Sequence, residues 1–202
     1  RVIAAVRRTC DRTALDAFAE ANSKWVEVIE MDVSDAADVG RARRRLEAER
    51  IDVLVNNAGI SGPDRQSATD MDYDGLAEAL SVNAIAPLRV ANAFLPNVKA
   101  AKGKIVTLSS QMGIQGASSD SLAYRVSKQA VNRLMRGLAT ELKPQGIPVL
   151  IVHPGWVKTE MGGEGASLKP EDSANQLLKL IDKLDLASTG KFLAWNGKEL
   201  AW

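Results

Sequence analysis

The chain has 202 residues, of which 46% are hydrophobic and 25% charged, and its formal net charge is +1. This is the length and composition of one globular domain, so we expect a single domain over residues 1–202. The balanced charge provides no overall field that would attract nucleic acid or an anionic membrane, and no apolar run approaches the ~20 residues that span a bilayer. The only cysteine, Cys10, excludes a disulfide within these residues and fits a reducing, cytoplasmic location.

Short apolar segments rich in Val and Ile alternate with longer amphipathic segments along the chain. In chain order, the pattern predicts strand 1–6, helix 13–22, strand 24–33, helix 35–49, strand 51–59, helical region 73–96 interrupted by Pro87, strand 103–110, helix 121–143, strand 146–155, helix 170–184 and a last strand with an Asn196-Gly197 turn. Continuous apolar strands that are each followed by a helix indicate a doubly wound α/β fold, in which helices cover both faces of a parallel sheet. In such folds, ligands bind at the carboxyl ends of the strands.

A tyrosine and a lysine lie four positions apart in the predicted helix 121–143. At this spacing Tyr124 and Lys128 share one helix face. A neighbouring ammonium favours the phenolate, so we expect Lys128 to lower the pKa of Tyr124 and make it a usable acid or base. Taken alone, the pair is more simply an accidental one on a solvated helix, because Tyr-x-x-x-Lys is frequent by chance.

Polar or glycine-bearing segments elsewhere could complete a site. Ser110 ends a predicted strand, where its hydroxyl could bind a substrate carbonyl or cap the following turn. The segment "NNAG" (56–59) follows another strand, and its small residues would admit a flat ligand or simply form a tight turn. Asn83, a poor helix former, could bind a backbone carbonyl or an ordered water, or stabilise a kink near Pro87.

Together these residues resemble the short-chain dehydrogenase/reductase family over essentially the whole chain. The motifs that carry the resemblance are "NNAG" at 56–59, the helical Asn83, "SS-x-x-G" at 109–113, "Y-x-x-x-K" at 124–128 and "PG" at 154–155. The segments "AYRVSKQAVN" and "HPGWVKTEMGG" also resemble the carbonyl reductases of the sniffer and C-factor type. The resemblance implies a Rossmann-like doubly wound parallel sheet with helices on both faces.

The resemblance also implies roles for four catalytic residues. Tyr124 would donate a proton to a substrate carbonyl as hydride arrives, and Ser110 would orient and polarise that carbonyl. Lys128 would lower the pKa of the tyrosine and bind the nicotinamide ribose, while Asn83 would hold a water that links the lysine to solvent. Ser110 is chosen over Ser109 because it begins the S-x-x-G motif. Its distance from Tyr124 in sequence is one residue longer than the family pattern, which the intervening loop can absorb.

The implied cofactor is a nicotinamide dinucleotide, because this residue set supplies protons but no redox centre. Arg7 and Arg8 follow the first strand, where arginine suits a 2′-phosphate, so NADP(H) is favoured over NAD(H), with a solvated basic turn as the alternative. Asp32, followed by Val33, resembles the aspartate that binds the adenine amino group; it could instead cap the next helix, although Asp35 could do that. The other implied cofactor-binding residues are Asn57, Ala58, Gly59, Tyr124, Lys128, Pro154, Gly155, Val157 and Thr159.

The glycine-rich G-x-x-x-G-x-G loop of the family is not found in the sequence. We expect it to precede Arg1, in a strand–loop–helix segment of about 30 residues. That strand would lie mid-sheet between strands 1–6 and 51–59. Because the loop and helix N-terminus form the main pyrophosphate cradle, we expect these 202 residues alone to bind the cofactor poorly.

Three functions remain open. The first is an NADPH-dependent reductase of a ketone, aldehyde or quinone. The second is an NAD-linked alcohol dehydrogenase, and the third is a cofactor-binding signalling or regulatory protein with little turnover. An intact set of Ser110, Tyr124 and Lys128 argues against the third, because a pure binding role needs no tuned phenol.

The substrate would be a small carbonyl or alcohol, held between the loop after Ser110 and the segment 157–170. The glycines of that segment suggest a mobile lid, although an inert flexible loop would have the same composition. Helices 73–96 and 121–143 would form a homodimer or tetramer, as the resemblance implies. His153 is expected to pack structurally, and no metal site is expected.

Overall fold

A computed structural model describes residues 1–114, 116 and 118–202. The chain divides into two compact units, Arg1–Glu49 and Arg50–Trp202. In each unit the main sheet is parallel and its strands are joined by helices, which confirms the predicted α/β class. Among the described residues, no helix is both long and apolar enough to cross a membrane.

The first unit is a β-α-β-α segment. Its elements are β1 (Val2–Val6), α1 (Thr13–Ala21), β2 (Val26–Glu30) and α2 (Ala36–Arg45). The two strands are parallel, with Val2 opposite Val26. α2 begins where the carboxylate of Asp35 accepts a hydrogen bond from the N–H of Ala37 at 2.7 Å, so Asp35 and not Asp32 caps this helix.

The second unit contains a four-stranded parallel sheet in the order β3-β6-β7-β8. Its elements are β3 (Val53–Asn56), β4 (Gln66–Ser67), β5 (Asp70–Met71), α3 (Tyr73–Leu80), α4 (Ala86–Ala101), β6 (Lys104–Leu108), α5 (Leu122–Leu142), β7 (Val149–His153), α6 (Pro170–Lys183) and β8 (Phe192–Ala194). All five residues of β7 are buried, as expected of a continuous apolar run at the sheet centre. The carboxyl ends of β3, β6 and β7 therefore meet at one edge of the sheet.

Helices cover both faces of this sheet. Side chains that alternate along a strand point to opposite faces, so Val149 and Ile151 face one side and Leu150 the other. The first pair packs with Val131 and Met135 of α5. Leu150 packs with residues of α6, among them Leu177 and Leu180. This two-sided packing confirms the doubly wound arrangement within the unit.

The predicted interruption at Pro87 is wrong. A π-helical turn, Ser81–Ile85, joins α3 to α4 without a break, and Pro87 lies in the first turn of α4. A proline within a continuous helix cannot donate to the preceding turn, and its ring meets the carbonyl four residues earlier, here that of Asn83. Asn83 lies in the π-helical turn, where the backbone departs from regular α-helical spacing. The turn predicted at Asn196-Gly197 is confirmed, since Gly197 has φ +86° and the N–H of Ala194 donates to Lys198 O at 2.8 Å.

Candidate active site

Three polar side chains come together at the carboxyl edge of the sheet. Ser110 follows the end of β6, and Tyr124 and Lys128 lie one turn apart near the start of α5. The Ser110 side chain lies close enough to the Tyr124 hydroxyl to lower the pKa of that phenol. The Nζ of Lys128 lies 5.6 Å from the centroid of the Tyr124 ring and donates to Leu108 O at 3.2 Å. A substrate oxygen at this point would meet two hydroxyls beside one ammonium.

The close approach of the Ser110 segment to α5 depends on a glycine. Ser110 Oγ accepts a hydrogen bond from the N–H of Met112 at 3.1 Å and so begins a short 3₁₀ turn, Gln111–Gly113. A Cβ on Gly113 would lie 2.7 Å from the backbone carbon of Lys128, closer than packed atoms allow. The serine thus caps a turn, as one of its two alternatives predicted, while the binding of a substrate carbonyl stays a prediction.

The neighbouring serine has different partners. Ser109 Oγ donates to Asn132 Oδ1 at 2.5 Å, one helical turn beyond Lys128. Ser109 is buried, and its hydroxyl ties the end of β6 to α5. Of the two serines, it is Ser110 that contacts Tyr124.

Asn83 acts as a clamp between three segments. Its side chain is 1% exposed. The Nδ2 donates to Ile60 O at 2.8 Å and to Ser127 Oγ at 2.9 Å, and the Oδ1 accepts from the N–H of Ile60 at 2.8 Å. Ser127 Oγ in turn donates to Tyr124 O at 2.7 Å. Both N–H groups of the amide are therefore used within the protein, and a water role for Asn83 stays a prediction.

The segment 56–59 divides into a buried anchor and an open edge. Asn56 is buried, and its Nδ2 donates to Thr107 Oγ1 at 3.1 Å and to Pro87 O at 3.2 Å. Asn57 and Ala58 are exposed. A Cβ on Gly59 would lie 3.2 Å from Asn83 Oδ1 and 3.5 Å from Lys128 Nζ. The absence of a side chain at Gly59 thus leaves room beside the lysine, which fits the close approach of a flat ligand.

A second glycine shapes the chain after β7. Gly155 has φ +90°, and a Cβ there would lie 2.9 Å from both Leu168 Cδ2 and Trp195 Cδ1. Pro154 is held because its carbonyl accepts a hydrogen bond from Ser173 Oγ at 2.7 Å. Only glycine fits at position 155 without strain.

The segment beyond Gly155 is hydrogen-bonded to itself. Val157 forms a parallel bridge with Leu168, and the Oγ1 of Thr159 accepts from the N–H of Gly162 at 3.2 Å. Thr159 is exposed. The predicted lid motion stays a prediction, as does the wall that the loop after Ser110 would form, since two of its residues, 115 and 117, lie outside the described ones.

In the first unit, the residues predicted to bind the cofactor lie at the ends of β1 and β2. Arg7 is exposed, whereas Arg8 pairs with Glu30 at 3.1 Å. The hydroxyl of Ser34 donates to Asp32 at 2.6 Å, and this bond lowers the pKa of the carboxyl below its ordinary value, with a smaller contribution from the charge of Arg7. Val33, the next residue, is half-buried.

The comparisons with known proteins agree with this geometry. Residues 1–198 match the family described as Enoyl-(Acyl carrier protein) reductase. The chain belongs to the short-chain dehydrogenase/reductase family. The C-signal protein of Myxococcus xanthus is 40% identical over 155 residues, which are 75% of this chain and 93% of that protein.

Solved structures of this family superpose over nearly the whole chain. Carbonyl reductase Sniffer of D. melanogaster has a TM-score of 0.92 at 30% identity and covers 99% of this chain and 87% of its own. The NADPH-bound carbonyl reductase from chicken fatty liver has a TM-score of 0.90 at 29% identity, covering 100% of this chain and 87% of its own. These likenesses confirm the Rossmann-like fold and support NAD(P)H-dependent oxidoreduction as the class of chemistry.

The expected lowering of the pKa of Tyr124 is not found in this short-chain dehydrogenase/reductase. Burial raises the pKa of the phenol above its ordinary value, and the nearby side chain of Ser110 offsets only part of that rise. The lysine Nζ lies over the ring, 5.6 Å from its centroid. Burial also lowers the pKa of Lys128 to about 8, which favours loss of its own charge.

Sequence reasoning missed Gln66 and Ser127 and placed His153 only as a packing residue. His153 is buried, which lowers its pKa to about 4, and its Nδ1 has no hydrogen-bond partner among the described residues. It is therefore neutral at physiological pH. The sequence signal for Ser127 was its position next to Lys128, whereas Gln66 lies in a polar segment without any periodic pattern.

Proposed function

We propose that the protein is an NADPH-dependent carbonyl reductase in which Tyr124 donates the proton. The observation that carries this proposal is the proximity of the Ser110 side chain to the Tyr124 hydroxyl, with Lys128 Nζ 5.6 Å from the centroid of the tyrosine ring. Two hydroxyl donors close together suit a carbonyl oxygen, on which negative charge develops during reduction. Neither hydroxyl has redox chemistry of its own.

Each of the three side chains has a separate task. Ser110 donates a hydrogen bond that orients the carbonyl and stabilises the developing charge. Tyr124 transfers its proton to the oxygen, and burial keeps this phenol protonated at neutral pH because its pKa is raised. Lys128, still largely charged at neutral pH with a pKa of about 8, stabilises the phenolate that remains.

The residues of the second unit fit a nicotinamide nucleotide, which when bound supplies the hydride. Gly59 leaves space next to Lys128 Nζ, and Asn57 and Ala58 form an open edge. Pro154, Gly155, Val157 and Thr159 would line the nicotinamide, and Lys128 would bind its ribose hydroxyls. These assignments rest on the family motifs and on the space at the two glycines.

The first unit supports the 2′-phosphate form of the cofactor. Arg7 is exposed after β1, and guanidinium binds phosphate well. The chicken fatty liver relative is described as NADPH-bound. An Arg7→Ala variant should therefore raise KM for NADPH by about tenfold or more, as expected for a lost charge-assisted contact, and leave KM for NADH nearly unchanged. Arg8→Ala is the matched control, because Arg8 is paired with Glu30.

The function itself is tested by mixing full-length protein with NADPH or NADH and a panel of ketones, aldehydes and quinones. The expected result is loss of NADPH absorbance with at least one carbonyl and slower loss with NADH. An enoyl thioester belongs in the panel, because the family description names an enoyl reductase. Reduction of the enoyl thioester alone, or of nothing, would contradict the proposal.

One observation favours a second candidate. The Myxococcus xanthus relative is called C-signal, and it is 40% identical. A signalling role with little turnover would show cofactor binding without oxidation of NADPH by any carbonyl. Titration of cofactor binding alongside the carbonyl panel therefore separates the two candidates.

A further inference from the structure

The helix that carries Tyr124 begins without a cap of its own. α5 starts at Leu122, and the preceding Ser121 has φ +51° and makes no side-chain capping bond. The N–H of Arg125 donates to Ser121 O at 2.9 Å and is the first amide of the regular helical pattern. The amides before it cannot find an acceptor within the helix. That of Tyr124 is one of them.

The acceptor for the Tyr124 amide comes from a distant segment of the chain. Gln66 Oε1 accepts a hydrogen bond from the N–H of Tyr124 at 3.1 Å, across 58 residues of sequence. The other end of the same amide is also used, because Gln66 Nε2 donates to Pro63 O at 2.7 Å and to Ser61 O at 3.3 Å. With donor and acceptor both engaged, the side chain has one satisfied orientation.

The segment that presents Gln66 is itself ordered. Gln66 lies in β4, which pairs antiparallel with β5, and opposes Met71. Gly62 has φ +84°, and a Cβ there would lie 3.2 Å from Gln66 Oε1, so this glycine leaves room for the amide. Directly after the hairpin, the carboxylate of Asp72 accepts a hydrogen bond from the N–H of Gly75 at 3.0 Å and so caps the start of α3.

We infer that Gln66 is a positioning residue for the reduction by Tyr124. By capping the first turn of α5, it holds the tyrosine backbone in place and so keeps the tyrosine hydroxyl against Ser110. The catalytic consequence rests on the proposed function, whereas the cap itself does not. Lys128 lies one turn further along, where intrahelical bonds hold the backbone, so loss of Gln66 moves Tyr124 and leaves Lys128 in place.

The catalytic consequence is tested with Gln66→Met, which keeps the side-chain length and removes all three side-chain hydrogen bonds. Gln145→Met is the matched control, because the Gln145 amide donates to a helix carbonyl, Glu141 O, at 3.1 Å on an exposed surface. We expect kcat to fall about tenfold in Gln66→Met, as a small misplacement of a reacting group does, while KM for NADPH stays within about twofold. In the control both constants should stay near the wild-type values. An unchanged kcat in Gln66→Met, or an equal loss in the control, would overturn the inference.

A second measurement needs no activity. In wild-type protein, hydrogen exchange of the Tyr124 amide should be slowed to a degree similar to that of Arg125, although Tyr124 lies in the first turn. In Gln66→Met, exchange at Tyr124 should quicken by about fivefold or more, as loss of one ordinary hydrogen bond predicts, with little change at Arg125. Exchange at Tyr124 that is fast in the wild type, or unaffected by the substitution, would refute the cap whatever the enzyme assay gives. If no carbonyl is reduced, the proposed function fails, and exchange alone decides the cap.

Discussion

Lys128 is a buried cation. Its replacement by an uncharged residue should therefore affect stability more favourably at neutral pH than at alkaline pH. Its side chain is 5% exposed, and burial lowers its pKa from 10.5 to about 8. Below both values the lysine is charged in the folded and the unfolded chain, and the folded state bears the full cost of burying that charge. As pH rises through the folded pKa, the native lysine loses its proton while the unfolded chain keeps its own, so the cost is relieved.

The magnitude follows from the size of the shift. Each pKa unit corresponds to about 1.4 kcal/mol, so the free energy of unfolding should gain about 2 kcal/mol from Lys128 between about pH 7 and pH 9.5. The assay is urea denaturation of wild type and Lys128→Met over this range, without cofactor. Other groups titrate alike in both proteins, and the lost bond to Leu108 O adds a cost that does not vary with pH.

The test is therefore the difference in free energy of unfolding between the two proteins, measured at each pH. The free energy of unfolding of Lys128→Met, minus that of the wild type, should be highest at neutral pH. This difference should fall by about 2 kcal/mol by about pH 9.5. A difference that stays constant with pH, or that changes in the opposite direction, would refute the reasoning that burial dominates at this lysine.

Three further predictions concern the surroundings of the site. Gly113→Ala should lower the free energy of unfolding by about 1–3 kcal/mol, because its Cβ would meet the α5 backbone at 2.7 Å. Gly137→Ala, whose Cβ would have nothing within 4 Å, should raise the free energy of unfolding by about 1 kcal/mol. Urea denaturation of both variants checks this. Asn83→Leu should cost about 2 kcal/mol or more in the same assay, because the backbone groups that the amide clamps lose their partners. In Tyr73→Phe protein, Tyr124 is the only tyrosine left of two, and its ultraviolet titration should lie above the ordinary tyrosine range; a titration at or below that range would show that burial does not control this phenol.

The order of strands and helices could be predicted because each is marked by its own apolar pattern. β7 is a run of four apolar residues followed by His153, all of them buried, and α5 places its apolar side chains at helical spacing. The meeting of Ser110 with Tyr124 followed from two simple facts: strand ends share one edge of a parallel sheet, and residues four apart share a helix face. The family motifs then restricted the roles of these residues.

Other features could not be predicted because they depend on packing. The sign of the pKa shift of Tyr124 was wrong, since burial of the phenol outweighs the charge of a lysine that lies over the ring face. The hairpin that carries Gln66 has strands of only two residues, too short for any periodicity to indicate. The π-helical turn before Pro87 likewise replaces a predicted break, because a local change in helical spacing can accommodate a proline without ending the helix.

The central claim, that Tyr124 donates the proton at a shared carbonyl oxygen, is tested most directly by the rate of NADPH oxidation in Tyr124→Phe with a carbonyl that the wild type reduces. Tyr73→Phe serves as the matched control, because this second tyrosine is 75% exposed. We expect a loss of about a hundredfold or more in kcat for Tyr124→Phe, with cofactor binding and folding retained, and no loss for the control. A Tyr124→Phe protein that reduces the carbonyl at the wild-type rate would contradict the claim.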